Sequence, residues 1–243
     1  MKRVIIAKTG SAPPEVAAQQ GDFEEWIAAG LSHPGLRCGV VDVQAGEGLP
    51  ARGAIDGVVV TGSAAMVTER LAWSEDLGAW LLGCVRDAVP VLGICYGHQL
   101  LAQALGGRVG LNANGREIGT VEVQCVSAGQ SDRLFHGMPR QMTVQETHRE
   151  SVLVLPQAAV RLAENAHDPN QAVRFAPMAW GVQFHPEFSA RVSAGYLKVR
   201  EAEIAAEGID VAGLRKGVRD SPAGRQLLGR FAEIVSESNP RRA

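Results

Sequence analysis

The stretch PVLGICYGHQLLAQALGG, residues 90–107, constrains this chain more than any other. Val91 to Ile94 is a short apolar run of the kind shown by strands buried in a parallel sheet. Gln99 to Leu105 are good helix formers, and Gly106-Gly107 stops them. Cys95 therefore sits on a strand-to-helix corner, with Gly93 and Gly97 flanking it at two residues each way. A corner this sharp strains the backbone and leaves no room for neighbouring side chains, a need that paired glycines meet. The following helix aims free N–H groups and the positive end of its dipole at the sulfur. That favours thiolate, the reactive form. Without the glycines, a buried structural cysteine would be the simpler reading.

A second segment, Trp180 to Phe188, changes the balance. A strand-like run delivers His185, and Glu187 follows two residues later. In extended chain those positions face the same side, and Pro186 stiffens the link. A carboxylate beside an imidazole fixes its tautomer and supports the imidazolium. Cys95, His185 and Glu187 can thus form a nucleophile, base and orienter. His98 is a rival base only three residues from Cys95, but it lies on the elbow helix and has no carboxylate near it in sequence.

Gly93-Ile94-Cys95-Tyr96-Gly97-His98-Gln99 together with Phe184-His185-Pro186-Glu187 resembles the class I (triad-type) glutamine amidotransferases, over residues 1 to about 190. It is most similar to the stand-alone branch that resembles the glutaminase domain of GMP synthetase and includes gamma-glutamyl peptidases. The resemblance implies cysteine-dependent hydrolysis of the gamma-glutamyl amide of glutamine through a glutamyl thioester, with no cofactor and no metal. It also implies an oxyanion hole from the backbone N–H groups of Tyr96 and Gly62, although the family's paired glycines are here Thr61-Gly62-Ser63. Gln99 is implied as a contact for the glutamyl end. His148, in His148-Arg149-Glu150-Ser151-Val152, resembles the family's pocket loop, and Glu117 its Gly-x-Glu-x-Gly element. The alternatives are a gamma-glutamyl peptidase or an ammonia donor that serves a separate synthetase chain. Two rivals from other classes share the fold: a non-catalytic binding protein, and a redox-sensing or chaperone protein whose cysteine is oxidised.

The order of elements supports this fold. Residues 2–8, 37–43, 55–60 and 89–94 read as strands, separated by helical patterns over 22–31 and from Ser74, as cap, to Asp87. This β-α-β-α alternation argues for an α/β fold: an open, mostly parallel sheet with helices on both faces. The resemblance makes it flavodoxin-like. Residues 9–21, with Pro13-Pro14, read as a loop. Beyond Gly107 the segments 119–126 and 141–147 alternate as antiparallel strands do, which predicts a smaller antiparallel portion. Residues 160–164, 172–175 and 178–184 are further strands, and 189–207 and 222–236 are helical. We expect one amidotransferase-like domain over 1–190 and a helical extension, 191–243, packed on it.

Composition removes other classes. The net charge of −2 gives no case for nucleic acid or an anionic membrane. The four cysteines show no metal spacing. No apolar run reaches membrane-spanning length, and a catalytic thiol fits a reduced, cytoplasmic setting. The expected partner is a small molecule, glutamine or another gamma-glutamyl compound.

Overall fold

The computed structural model describes residues 1–239; residues 240–243, the last of the expected extension, lie outside the described residues. The chain begins β1 (Lys2–Lys8), α1 (Pro14–Gln20), α2 (Phe23–Gly30), β2 (Leu36–Asp42), β3 (Gly57–Val60) and α3 (Ala72–Arg86). It continues β4 (Val91–Ile94), α4 (Tyr96–Ala104), β5 (Arg108–Leu111), β6 (Glu117–Cys125), α5 (Ser127–Gln130), β7 (Gln141–His148) and β8 (Glu150–Val154). It ends β9 (Val160–Glu164), β10 (Ala172–Ala176), β11 (Ala179–Val182), α6 (Ala190–Val199), α7 (Glu201–Ala206), α8 (Val211–Gly217) and α9 (Pro222–Glu237).

A nine-stranded sheet runs in the order β2-β1-β3-β4-β11-β10-β9-β6-β7. Strands β2, β1, β3, β4 and β11 are parallel. From β11 onward the pairings are antiparallel, so the antiparallel portion continues the same sheet. Strands β5 and β8 form a separate antiparallel pair.

Alternation along β1 shows how the core is divided. Val4 and Ile6 join one cluster, with Phe23 and Ile27 of α2, Tyr196 of α6 and Leu227 and Phe231 of α9. Ile5 and Ala7 join the other, with Leu77 and Leu81 of α3 and Leu100 and Leu101 of α4. Successive side chains leave opposite faces of the sheet, and helices cover both. Each such large apolar side chain gains about 1.5–3 kcal/mol by its burial. A third cluster, Ile118, Leu197, Ile204 and Val211, seats the helices after residue 190 on β6.

Several local expectations change. Residues 14–20 are helical, not loop: Pro14 stands in the first turn of α1, where a missing N–H is no loss. Ser74 does not cap α3. The helix starts at Ala72, and the Ser74 hydroxyl is 2.6 Å from that of Tyr96. The expected helix over 189–207 is broken at Arg200 into α6 and α7. Asp22 does cap α2, accepting from the Phe23 N–H at 2.8 Å while Glu25 accepts from the Asp22 N–H at 3.2 Å.

Candidate active site

Register brings the two key segments together. Strands β4 and β11 pair from Val91↔Ala179 to Ile94↔Val182. The Cys95 N–H then donates to the Val182 carbonyl at 2.8 Å. Cys95 leaves β4 and His185 follows β11 at the carboxyl edge of the sheet, where ligands of open α/β sheets bind. On the other side β3 pairs with β4, and the loop after Val60 arrives at the same edge.

Cys95 itself has φ 49° and ψ −99°, a positive φ that a side chain-bearing residue rarely adopts. Such a conformation costs about 1–3 kcal/mol and persists only where its surroundings enforce it. The flanking glycines make it feasible. A side chain on Gly93 would collide with the Gly97 backbone, and a Cβ on Gly97 would stand 2.7 Å from the Val60 carbonyl oxygen. Cys95 stands at the N-cap position of α4, and its Sγ lies 4.0 Å from the Thr147 carbonyl oxygen.

The other cysteines are chemically quieter. Burial pushes the thiols of Cys38 and Cys125 up, and that of Cys84 to about 12. All four are free thiols.

His185 Nδ1 donates to Glu187 Oε1 at 2.7 Å. Its ring stacks on Phe188 at 4.1 Å between centroids. Nε2 has no hydrogen-bond partner of regular geometry among the described residues, which leaves it open to the thiol beside it. Burial disfavours the charged ring, but Glu187 and Cys95 outweigh it and hold the imidazolium up to about 10. His98, by contrast, is fully buried with its ring 5.3 Å from that of Phe175. Burial, with His148 nearby, pushes it down to about 3. It is a neutral core ring.

Tyr96 is the first residue of α4, so its N–H belongs to the donors that a helix start leaves without an intrahelical acceptor. Gly62 lies against His185: a Cβ there would be 2.8 Å from the imidazole Cε1. Its carbonyl is turned away, accepting from Thr9 Oγ1 at 3.1 Å and Thr61 Oγ1 at 2.9 Å. Ser63, not Gly62, borders the cavity beside Cys95.

That cavity holds about 130 Å³, and Cys95, Tyr96, Gln99 and His148 line it. Gln99 Nε2 donates to the Glu150 carbonyl at 2.6 Å and to Gln183 Oε1 at 3.0 Å. His148 Nε2 lies 3.0 Å from Glu117 Oε2 and Nδ1 2.9 Å from the Glu150 carbonyl oxygen. Glu117 also accepts from Asn165 at 2.6 Å and Gln171 at 2.8 Å. Burial raises its carboxyl, but these donors prevail and hold it below the usual range. Beside it, burial and the Glu117 charge push Glu146 well above the usual range. Glu117 thus stands behind the cavity wall, with His148 between it and the lining.

Sequence reasoning missed Glu150, Arg116, Arg149, Arg200 and Glu203. Glu150 accepts from the Val67 N–H at 2.9 Å and from the Thr68 hydroxyl, tying the loop after β3 to the turn between β7 and β8. Its place in the His-x-Glu loop was the available signal. The other four line the cavity from separate elements, and nothing in their spacing marks them.

The family model "Glutamine amidotransferase class-I" matches residues 19–200. A glutamine-hydrolyzing GMP synthase of Aeropyrum pernix is 34% identical over 187 residues, which are 75% of this chain and 34% of that protein. A glutamine-hydrolyzing GMP synthase of Staphylococcus carnosus is 36% identical over 132 residues, 54% of this chain and 24% of that protein. The chain thus spans a quarter to a third of the length of these curated relatives. The crystal structure of a glutamine amidotransferase from Thermotoga maritima superposes with a TM-score of 0.79 at 25% identity, covering 98% of this chain and 100% of that one. This chain belongs to the class I glutamine amidotransferase family.

Proposed function

We propose that the protein hydrolyses the gamma-amide of glutamine, or a related gamma-glutamyl bond, with Cys95, His185 and Glu187 as its catalytic triad. One observation carries the reading. His185 is clamped to Glu187 through Nδ1 while Nε2 stays open toward a thiol on a strained elbow. The Cys95 thiolate attacks the gamma-carbonyl carbon, and the carbonyl electron pair moves onto oxygen. The N–H groups of Tyr96 and of the Gly62 loop receive that oxyanion, each such donor being worth about 2.7–4 kcal/mol of barrier. His185 gives its proton to the departing amine, and the carbon–nitrogen bond breaks to leave a glutamyl thioester. His185 then takes a proton from water, whose oxygen attacks the thioester, releasing glutamate and restoring the thiolate. Gln99 and His148 bound the space for the glutamyl group, and Glu117 holds His148 in place. No step calls for a metal or cofactor.

The names of the curated relatives favour a second reading, in which the ammonia passes to a separate GMP synthetase-type chain. We favour unaided hydrolysis in a reducing, cytoplasmic setting that keeps the thiol free. No described helix is long and apolar enough to cross a membrane. Incubation of the pure protein with a panel of gamma-glutamyl compounds, scored for glutamate by mass spectrometry, tests the hydrolysis. Adding ATP and a cell extract freed of small molecules separates the readings. An unchanged rate supports unaided hydrolysis, and a large stimulation with co-purification of an ATP-using chain supports the donor role.

A further inference from the structure

The cavity over Cys95 has a charged rim supplied in part by helices that extend past the family-matched region, which ends at residue 200. Arg116 and Arg149 come from the sheet side, Arg200 from the junction of α6 and α7, and Glu203 from α7. These side chains are not equivalent. The Arg116 side chain is 1% exposed: Nε and Nη2 donate to Glu207 at 2.8 and 2.9 Å, and Nη2 also to Glu203. Arg149 and Arg200 each stand with Nη1 4.0 Å from the Glu203 carboxylate, beyond hydrogen-bond reach. Neither guanidinium makes a hydrogen bond among the described residues, though Arg200 lies over the Tyr196 ring at 5.7 Å. Arg116, Arg149 and Arg200 face Glu203 and Glu207, which leaves the Arg149 and Arg200 guanidiniums as the rim donors not committed to a hydrogen bond.

The direction of the substrate follows from the base. His185 must protonate the leaving amine, so the amine departs on the His185 side of the sulfur. His185 does not border the cavity, whereas Cys95 and Gln99 do. The acyl half therefore occupies the cavity, and its far end meets the rim. The far end of any gamma-glutamyl group is an amino acid, with one carboxylate and one ammonium. A planar guanidinium fork matches a carboxylate, and a carboxylate matches an ammonium.

We propose that Arg149 and Arg200 bind the α-carboxylate of the gamma-glutamyl substrate and that Glu203 faces its α-ammonium. The β7–β8 turn and the start of α7 thereby select glutamyl donors over other amides. This rests on the hydrolase reading above, and its test does not need turnover. In a Cys95→Ala background, glutamate binding is measured by calorimetry for the parent and for added Arg149→Gln, Arg200→Gln and Glu203→Gln, with folding checked by circular dichroism. Each arginine change should weaken glutamate by about 10- to 100-fold, the scale of a charge-assisted contact. 4-Aminobutanoate, which lacks the α-carboxylate, should bind the parent weakly and change less than about twofold in the arginine variants. Glu203→Gln should erase the preference for glutamate over glutarate, which lacks the ammonium. With Cys95 present, the arginine changes should raise KM for glutamine and leave kcat within a few-fold. Equal glutamate affinity in the parent and both arginine variants would overturn the proposal, as would equal affinity of the parent for glutamate and 4-aminobutanoate. If an arginine variant fails to fold, the Glu203→Gln comparison and the parent's ligand preference still decide. Failure of the Cys95 protein to release glutamate from any gamma-glutamyl compound would sink the hydrolase reading alone, since the calorimetry scores the rim independently.

Discussion

His185 with Glu187 and His148 with Glu117 are both buried imidazole–glutamate pairs near Cys95, with separations of 2.7 and 3.0 Å. They differ in what remains uncommitted. Both nitrogens of His148 are used, one by Glu117 and one by the Glu150 carbonyl. Only one nitrogen of His185 is used. Glu117 is embraced by donors from Asn165 and Gln171 as well, whereas Glu187 Oε2 has no partner among the described residues. A fully satisfied network rigidifies the region around it. A base needs an open nitrogen and a charge held for it. Pairing and burial alone would not separate the two histidines; the census of bonds does.

The comparison can be broken by substitution. Cys95→Ala should remove measurable turnover and leave the protein folded, as steady-state assay and circular dichroism would show. His185→Asn should lower kcat by about 10²–10⁴-fold, the scale of a general acid–base group. The same collapse in His148→Asn, with His185→Asn near wild type, would invert the assignment.

Glu187→Gln should lose less, about tenfold in kcat, because packing against Phe188 still holds the ring. The sign of its pH effect is fixed. The Glu187 charge raises the imidazolium, which stands at about 10, so its removal lowers that value. The alkaline limb of kcat/KM should move to lower pH, and an unmoved limb would argue against the pair as the charge holder. His148→Asn should instead act on stability, costing about 1–3 kcal/mol by leaving buried Glu117 short of a donor. Denaturant melts measure this, with kcat expected within a few-fold of wild type.

The smallest expected effect is at Glu146. Its folded-state carboxyl titrates well above an unfolded glutamate, so it detracts from stability increasingly as pH rises from about 4.5 through its folded value. Glu146→Gln should therefore melt higher than wild type at neutral pH, with the gain vanishing below the ordinary carboxylate range. Thermal melts across pH would show it, and a constant difference at all pH values would refute the upward shift.

The elbow and the strand leading to His185 were legible because each rests on local rules: glycine spacing, apolar runs and the two-residue period of extended chain. The limits of β1 and β9 were readable for the same reason. Other elements were hidden by ambiguous local signals. Pro13-Pro14 looks like loop, yet the second proline suits a helix start. Ser74 looks like a cap, yet its hydroxyl meets Tyr96 from another helix. Strands β5 and β8 show no two-residue alternation of burial, and among the described residues they pair only with each other. The rim arginines were unreadable because their meaning is their convergence, which only the folded chain creates.

The buried thiols have a practical consequence. With Cys84 held at about 12 and Cys38 and Cys125 also raised, none of them is appreciably ionised at neutral pH. A mild glutamine-like electrophile should then incorporate a single equivalent, at Cys95. The protein so becomes its own active-site titrant: moles of label per mole of chain report the competent fraction of a preparation, with no cysteine needing to be removed first.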